Sequence, residues 1–400
     1  MEKQKNIPAL RFPEFTDEWE NKKLGEIAKF SKGKGISKSD IIEEGETECI
    51  RYGELYTRYN EIINEVFSRT NVDIKNLIFS KANDVIIPAS GETQIDIATA
   101  SCVMKSGVAL GGDLNIIRTD DNGIFISYYL NNNKKKDIAS LAQGNSVVHL
   151  YSRQLSLLTL NLPTLPEQQK IAAFLTAIDD KLQALKKKKS LLEQYKKGVM
   201  QKIFSQEIRF KDDNGEGFPE WEEKNGNLIF ENISDKNHSS DLPILAITQE
   251  HGAVPRDLID FNISVTDKSV ESYKVVEKGD FIISLRSFQG GIEYSDYKGI
   301  CSPAYIILRS KDNINKTFFK FYFKTDVYIS LLNKKLEGIR DGKMISYKYF
   351  SDIKLPLPSL GEQTRIADFL SAIDEKINHC QTQIEKTEQY KKGLLQQMFV

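Results

Sequence analysis

Arginine makes paired hydrogen bonds to guanine edges and glutamine to adenine edges, so both types in glycine-bounded loops suggest base recognition. Arg286-Ser287-Phe288-Gln289-Gly290-Gly291 is such a stretch, accompanied in the same half of the chain by Gln249, Arg256 and Gly342-Lys343. The other half offers Ser31-Lys32-Gly33-Lys34-Gly35-Ile36-Ser37, Arg51-Tyr52 with Tyr56 and Arg58, and Ser90-Gly91-Glu92-Thr93-Gln94. The candidate DNA contacts are therefore Lys32, Lys34, Arg51, Tyr52, Arg58, Ser90 and Gln94 in one half. In the other they are Gln249, Arg286, Ser287, Gln289 and Lys343. A plainer reading stays open for each, since polar loop side chains are mostly just solvated.

Catalytic constellations are absent from the sequence. The four histidines, His149, His238, His251 and His379, stand at no metal-ligand spacing from one another or from a cysteine. His379 reads as a solvated helix residue, because the repeat described below has Ala184 in its place. Gly33-Lys34-Gly35 continues to Lys38 where a dinucleotide fingerprint needs its third glycine. Gly338 to Lys343 has too few residues between its glycines for a P-loop and no Ser or Thr after the lysine. There is no Pro-Asp dipeptide to open a nuclease motif and no Pro-Pro for an adenine methyltransferase motif. The expectation is a chain with no catalytic residues, no metal and no cofactor of its own.

The elements that would position the loops are written twice. Residues 162–204, LPTLPEQQKIAAFLTAIDDKLQALKKKKSLLEQYKKGVMQKIF, align without a gap to 357–399, LPSLGEQTRIADFLSAIDEKINHCQTQIEKTEQYKKGLLQQMF. At the constant offset of 195, 21 of 43 positions are identical. A fainter echo precedes each copy. LRFPEFTDEWE at 10–20 matches IRFKDDNGEGFPEWE at 208–222, and the two tryptophans, Trp19 and Trp221, fall there. Asn83-Asp84-Val85-Ile86-Ile87 likewise matches Gly279-Asp280-Phe281-Ile282-Ile283, and the Ser90 and Arg286 loops follow these two strands at the same repeat position.

Each repeated segment reads as a helix. Pro166 suits a first helical turn and Glu167 the positive end of the helix dipole. Apolar residues then recur at alternating spacings of three and four: Ile171, Leu175, Ile178, Leu182, Leu185, Leu192, Val199 and Ile203. The second copy gives Ile366, Leu370, Ile373, Ile377, Cys380, Ile384, Leu394 and Met398. About 39 residues at 1.5 Å each make a rod of roughly 58 Å whose narrow apolar seam needs a partner. The two helices are expected to pair with each other as an antiparallel coiled coil, Lys189 and Ile384 holding equivalent seam positions. The globular parts read as mixed α/β, with strands at NDVIIPAS, LNIIRTD, GDFIISLRS and AYIILRS and helix-compatible spacing over 124–142 and 316–337. The expected order is a globular recognition domain at 1–160, a helix at 161–205, a second such domain at 206–355 and a second helix at 356–400.

Composition narrows the class further. With 55 Lys+Arg against 56 Asp+Glu the net charge is −1, which excludes a polybasic binder that grips phosphate by bulk charge. Four scattered cysteines, Cys49, Cys102, Cys301 and Cys380, give no disulfide or thiolate-zinc pattern. With no apolar leader and no membrane span in view, the cytoplasm is the expected compartment. Residues 181–202 carry eight lysines and one acid, whereas 376–397 carry four lysines and two acids. That imbalance favours a solvated helix face over an essential phosphate grip.

Taken together, FPEFTDEWENKKLGEI, LPEQQKIAAFLTAIDDKL, FPEWEE, LPSLGEQTRIADFLSAIDEKI and EQYKKGLLQQMF resemble the specificity subunit of type I restriction–modification systems over essentially the whole chain. The resemblance implies two target-recognition domains that each read half of a bipartite DNA site, held apart by paired helices. It implies as partners double-stranded DNA, methyltransferase subunits, two in number, that methylate adenine N6, and restriction–translocase subunits. S-adenosylmethionine, ATP and Mg would belong to those partners. Two departures stand out: Gly361 replaces Pro166, so the second helix start is expected looser, and the second Phe-Pro-Glu lies four residues closer to its tryptophan. A coiled-coil scaffold without sequence-specific DNA binding is the competing reading. Near-neutral charge fits a reader whose partners share the phosphate contacts, so the isolated chain should bind DNA weakly and in a salt-sensitive way.

Overall fold

The computed structural model describes residues 6–144, 147–238, 241–259, 270–334 and 345–400. It divides into two compact units: residues through Lys186 together with Thr382–Val400, and Lys187–Gln381. Both are mixed α/β.

The first unit is built on a five-stranded sheet ordered Ala28–Lys32, Leu114–Thr119, Asp84–Pro88, Ser101–Val103 and Ile62–Ile63. All pairings are antiparallel except the last. Asp84–Pro88 is covered on both faces, which is why it reads as an unbroken apolar run and not as an alternating strand. The second unit repeats the arrangement in four antiparallel strands ordered Phe230–Ile233, Ile306–Ser310, Phe281–Ile283 and Glu293–Tyr294. At the head of the matching strands a buried aspartate accepts a two-pronged arginine from the neighbouring strand. Arg118 holds Asp84 at 2.7 and 2.6 Å, and Arg309 holds Asp280 at 2.8 and 2.7 Å. Charge-assisted bonds of this kind are about twice as strong as neutral ones and stiffen the strand that leads into each candidate loop.

The segments expected to be helical over 124–142 and 316–337 are each broken in two, at Gly123–Asn132 with Lys135–Leu141 and at Lys316–Tyr322 with Asp326–Lys334; residues 335–337 lie outside the described residues. Short polar side chains cause the breaks by bonding to the backbone. Asn132 Nδ2 donates to Tyr128 O, while Thr325 Oγ1 donates to Tyr322 O and accepts from the Tyr328 amide of the next helix. Asn122 and Asn315 cap the first helix of each pair.

The repeated helices span Leu165–Phe204 and Leu360–Gln397, so both start at the same repeat position despite Gly361. Ser359 Oγ accepts the Glu362 amide, and a Cβ at Gly361 would lie 3.1 Å from the Phe218 ring. Glycine therefore lets an aromatic ring seat on the helix start, where a looser end was expected. In the first unit Asp179 meets Lys391 at 2.7 Å and Lys186 meets Glu388 at 2.6 Å. In the second, Lys196 meets Asp374 at 2.6 Å. Within the first unit, numbers rising on one helix fall on the other.

Candidate nucleic-acid interface

The base of each unit is a clamp on the helix start. A two-stranded ribbon, Glu20–Lys23 with Thr159–Leu162, and its counterpart, Glu222–Asn225 with Lys354–Leu357, lead directly into the two long helices. Glu167 is 1% exposed and takes both prongs of Arg11 at 2.7 Å, with Trp19 Nε1 donating at 3.3 Å. Glu362, equally enclosed, takes Arg209 at 3.1 and 2.8 Å and Trp221 Nε1 at 2.8 Å. The next residue ties the helix to the sheet side: Gln168 donates to Pro163 O and accepts the Asn122 amide, and Gln363 does the same with Pro358 O and the Asn315 amide. Glu167 thus serves as a buried anchor as well as an acid in the first turn of the helix. The four-residue difference ahead of Trp221 is absorbed without losing the contact. The paired Glu-Gln and the two lone tryptophans were the sequence signal for this clamp.

Seam positions at the helix ends join the cores of the globular parts. Ile171, Leu175, Ile178 and Leu394 are buried with Trp19, Phe125 and Tyr129, while Ile366, Leu370 and Ile373 are buried with Phe230, Phe318 and Phe350. Leu182 and Ile384 are also buried, and Leu185, Leu192 and Ile377 are half-buried.

The first unit gathers most of its candidate loop residues. Gly33 lies so close to Gly111 that a Cβ would fall 2.0 Å from its carbonyl oxygen, and Lys34 and Gly112 exchange backbone bonds with Leu110 and Gly35. The exposed Lys32 and Lys34 flank this contact, and Gly111 in turn touches half-buried Arg51. Burial pushes the Tyr56 hydroxyl above its ordinary range, with Tyr52, Glu92 and Asp96 adding to the shift and Arg51 opposing it. Thr93 caps the short turn Gln94–Ile97, leaving Gln94 and Ile95 exposed. On the remaining side Lys32 Nζ sits 5.9 Å from the Tyr151 ring, which stacks on His149, whose strand pairs with Ser90. Arg58 is held by the exposed Phe67 ring at 5.2 Å and by Glu54 at 3.9 Å. Tyr151 was not foreseen as part of this surface; a lone tyrosine before a serine gives no sequence signal.

The second unit assembles a different chemistry. Gln249 Nε2 donates to Arg286 O at 3.2 Å and packs against Gly290. Arg286, Gln289 and Gln249 are exposed. Burial, with Cys301 nearby, raises the Tyr305 hydroxyl, while the charges of Arg256 and Arg286 oppose the shift. Two of the candidate serines are buried in this structure. Ser90 is 6% exposed within a strand pairing, and Ser287 is 1% exposed, its Oγ accepting the Ser284 amide at 2.9 Å. The Ser287 hydroxyl is thus turned into the protein. Lys343 lies outside the described residues.

Along the long helices each unit also has a polar groove. The first, of about 710 Å³, is lined by Asp179, Glu388, Lys391, Lys392 and Gln396 together with Asn132. The second, of about 460 Å³, is lined by Asp374, Glu193, Lys196, Lys197 and Gln201 together with Thr325. The helix residues correspond one to one at the offset of 195 and are identical in type. Among the described residues no group of three or more His, Cys, Asp or Glu could hold a metal ion, and no helix is long and apolar enough to cross a membrane.

This duplicated framework, with unlike loops on like sheets, corresponds to a known sequence family. The family model described as the type I restriction modification DNA specificity domain matches residues 16–194 and 220–389, and the chain belongs to that family. Among its relatives, the chain named as the MjaX type I restriction enzyme specificity subunit of Methanocaldococcus jannaschii is 26% identical, the match covering 98% of this chain and 95% of that one. The MjaVIII specificity subunit of the same organism is also 26% identical, over 98% and 93%. In fold, the chain is similar to the S subunit of a type I restriction–modification system from M. genitalium, with a TM-score of 0.63 at 17% identity and coverage of 98% and 99%. It is similar too to a chain from a structure on complex assembly and conformational transition of the type I R-M system, with a TM-score of 0.52 at 18% identity over 94% and 95%.

Proposed function

We propose that this specificity subunit is non-catalytic and that each globular domain reads one half of a bipartite DNA target. The observation that carries the reading is the contrast at one repeat position. The same Asp-anchored strand leads to Gln94 and Ile95 in one unit and to Arg286 and Gln289 in the other, so one scaffold presents two different sets of base-reading groups. Gln94 suits an adenine edge with Ile95 against a thymine methyl, and Arg286 suits guanine. Lys32, Lys34 and Arg51 would steady the backbone beside the first set.

In this reading the long helices pair as an antiparallel coiled coil that sets the spacer between half-sites. The matched grooves support docking of two copies of one partner, the methyltransferase subunit, because their exposed rims, Glu388, Lys392 and Gln396 in one and Glu193, Lys197 and Gln201 in the other, are identical. Adenine N6 methylation, with S-adenosylmethionine, and ATP- and Mg-dependent restriction would reside in the partner subunits. Exchanging residues 206–350 with those of a relative tests the division of labour. The expected outcome is a change confined to one half-site; a change in both halves, or in neither, would contradict it.

A further inference from the structure

One lysine recurs at the same place in both units. Lys391, with its side chain 16% exposed, puts Nζ 2.7 Å from Asp179, 3.6 Å from Glu61 and 5.3 Å from the centre of the Tyr128 ring. The Tyr128 hydroxyl donates to the other oxygen of Asp179. Its repeat equivalent Lys196, 23% exposed, lies 2.6 Å from Asp374 and 4.9 Å from the Phe321 ring. Each lysine thus joins three elements: its own long helix, the other long helix, and the first helix of the globular domain, Gly123–Asn132 or Lys316–Tyr322. An ammonium held between a carboxylate and an aromatic face and largely removed from water is directional in a way an exposed ion pair is not.

The lysine and aspartate are identical in the two copies, whereas 182–192 and 377–387 share no identity at all. What the repeat has kept is the contact, not the helix face around it. The buried clamp at Glu167 lies 12 residues before Asp179, about 18 Å along the helix. Between the two, Ile171, Leu175 and Ile178 pack into the domain core, but apolar packing fixes no direction; the lysine adds a directional hold farther along the helix.

We propose that Lys391 and Lys196 are positioning residues for target selection: they fix the tilt of each recognition domain on the helices and so the spacer length that is accepted. The proposal rests on the specificity reading above. A domain of about 160 residues has a radius of gyration near 15 Å. A tilt of about 13° then shifts its DNA-facing surface by roughly one base-pair rise of ~3.4 Å.

The test is methylation-sensitive sequencing of a host carrying the full complex with this chain unaltered, or as Lys391→Met, Lys196→Met or Lys391→Arg. For the unaltered chain one spacer length is expected. With either methionine variant, the same two half-site sequences should also be methylated at spacers one base pair longer or shorter, raised at least about tenfold, equivalent to ~1.4 kcal/mol. Lys391→Arg, which keeps the charge and the ring contact, should retain the single spacer. Lys391 has the additional contact with Glu61, so its loss should relax the spacer more than that of Lys196. If Lys391→Met fails to accumulate, Lys196→Met carries the test. A folded methionine variant with an unchanged spacer, or with altered half-site bases, overturns the proposal. An unaltered chain that yields no two-part motif overturns the specificity reading and this proposal with it.

Discussion

Replacing Arg11 with methionine should be far more damaging than an ordinary surface change, although arginine is usually a surface residue. Its guanidinium supplies two 2.7 Å bonds to Glu167, whose side chain is 1% exposed, and only Trp19 at 3.3 Å would remain. Exposed ion pairs contribute about 0–1 kcal/mol, but stripping one partner from a buried pair costs about 3–5 kcal/mol, because a carboxylate is left charged without compensation. For a folding unit of roughly 200 residues each kcal/mol moves the midpoint by about 2–4 °C, so a drop on the order of 10 °C is expected. Glu167→Gln in the Arg11→Met background should recover a large part of the loss, since no buried charge then remains. The same logic applies to Arg209 and Glu362, where Arg209 also donates to the Phe218 and Pro219 carbonyls. Scanning calorimetry of the single and double variants reads the result. A cost below about 1 kcal/mol for Arg11→Met, or a double variant no better than the single, would refute the argument.

Gln94→Ala and Arg286→Ala should each relax one position in one half-site, by about 1–3 kcal/mol of discrimination, as read from methylated motifs. Inserting four residues after Lys189 and four after Ile384 lengthens each helix by about one turn, ~5.4 Å, and should change the preferred spacer by one or two base pairs; an unchanged spacer would end the ruler idea. All four thiols are buried, and burial pushes Cys49 up to about 11 and Cys102 and Cys301 to about 12. They should therefore resist thiol reagents at pH 8 until the chain is unfolded, which a colorimetric titration checks. The isolated chain should bind DNA weakly, with affinity falling as salt rises, in a titration without its partners.

The duplicated helices were legible because an apolar period of three and four survives wherever a helix buries one stripe. The strands around Asp84 and Asp280 were legible for the related reason that a doubly covered strand must be apolar throughout. The clamp was not, because Glu167 at a helix start has an adequate local explanation in the dipole, and its arginine lies 156 residues away. Repetition was the missed clue: Arg11 with Trp19 and Arg209 with Trp221 recur together. The burial of Ser287 was not legible for a similar reason, since a serine beside arginine reads as exposed while the local backbone folds its hydroxyl inward. Helix breaks after Asn132 and Tyr322 depended on single side-chain bonds that apolar spacing does not encode.

The most direct test of the central claim is the pattern of N6-methyladenine in a host with its partner subunits, sequenced with this chain present and with it deleted. The account predicts one two-part motif, with a fixed gap between its halves, that is methylated only when the chain is present. Methylation that persists unchanged after deletion, or a continuous motif without a gap, would contradict it.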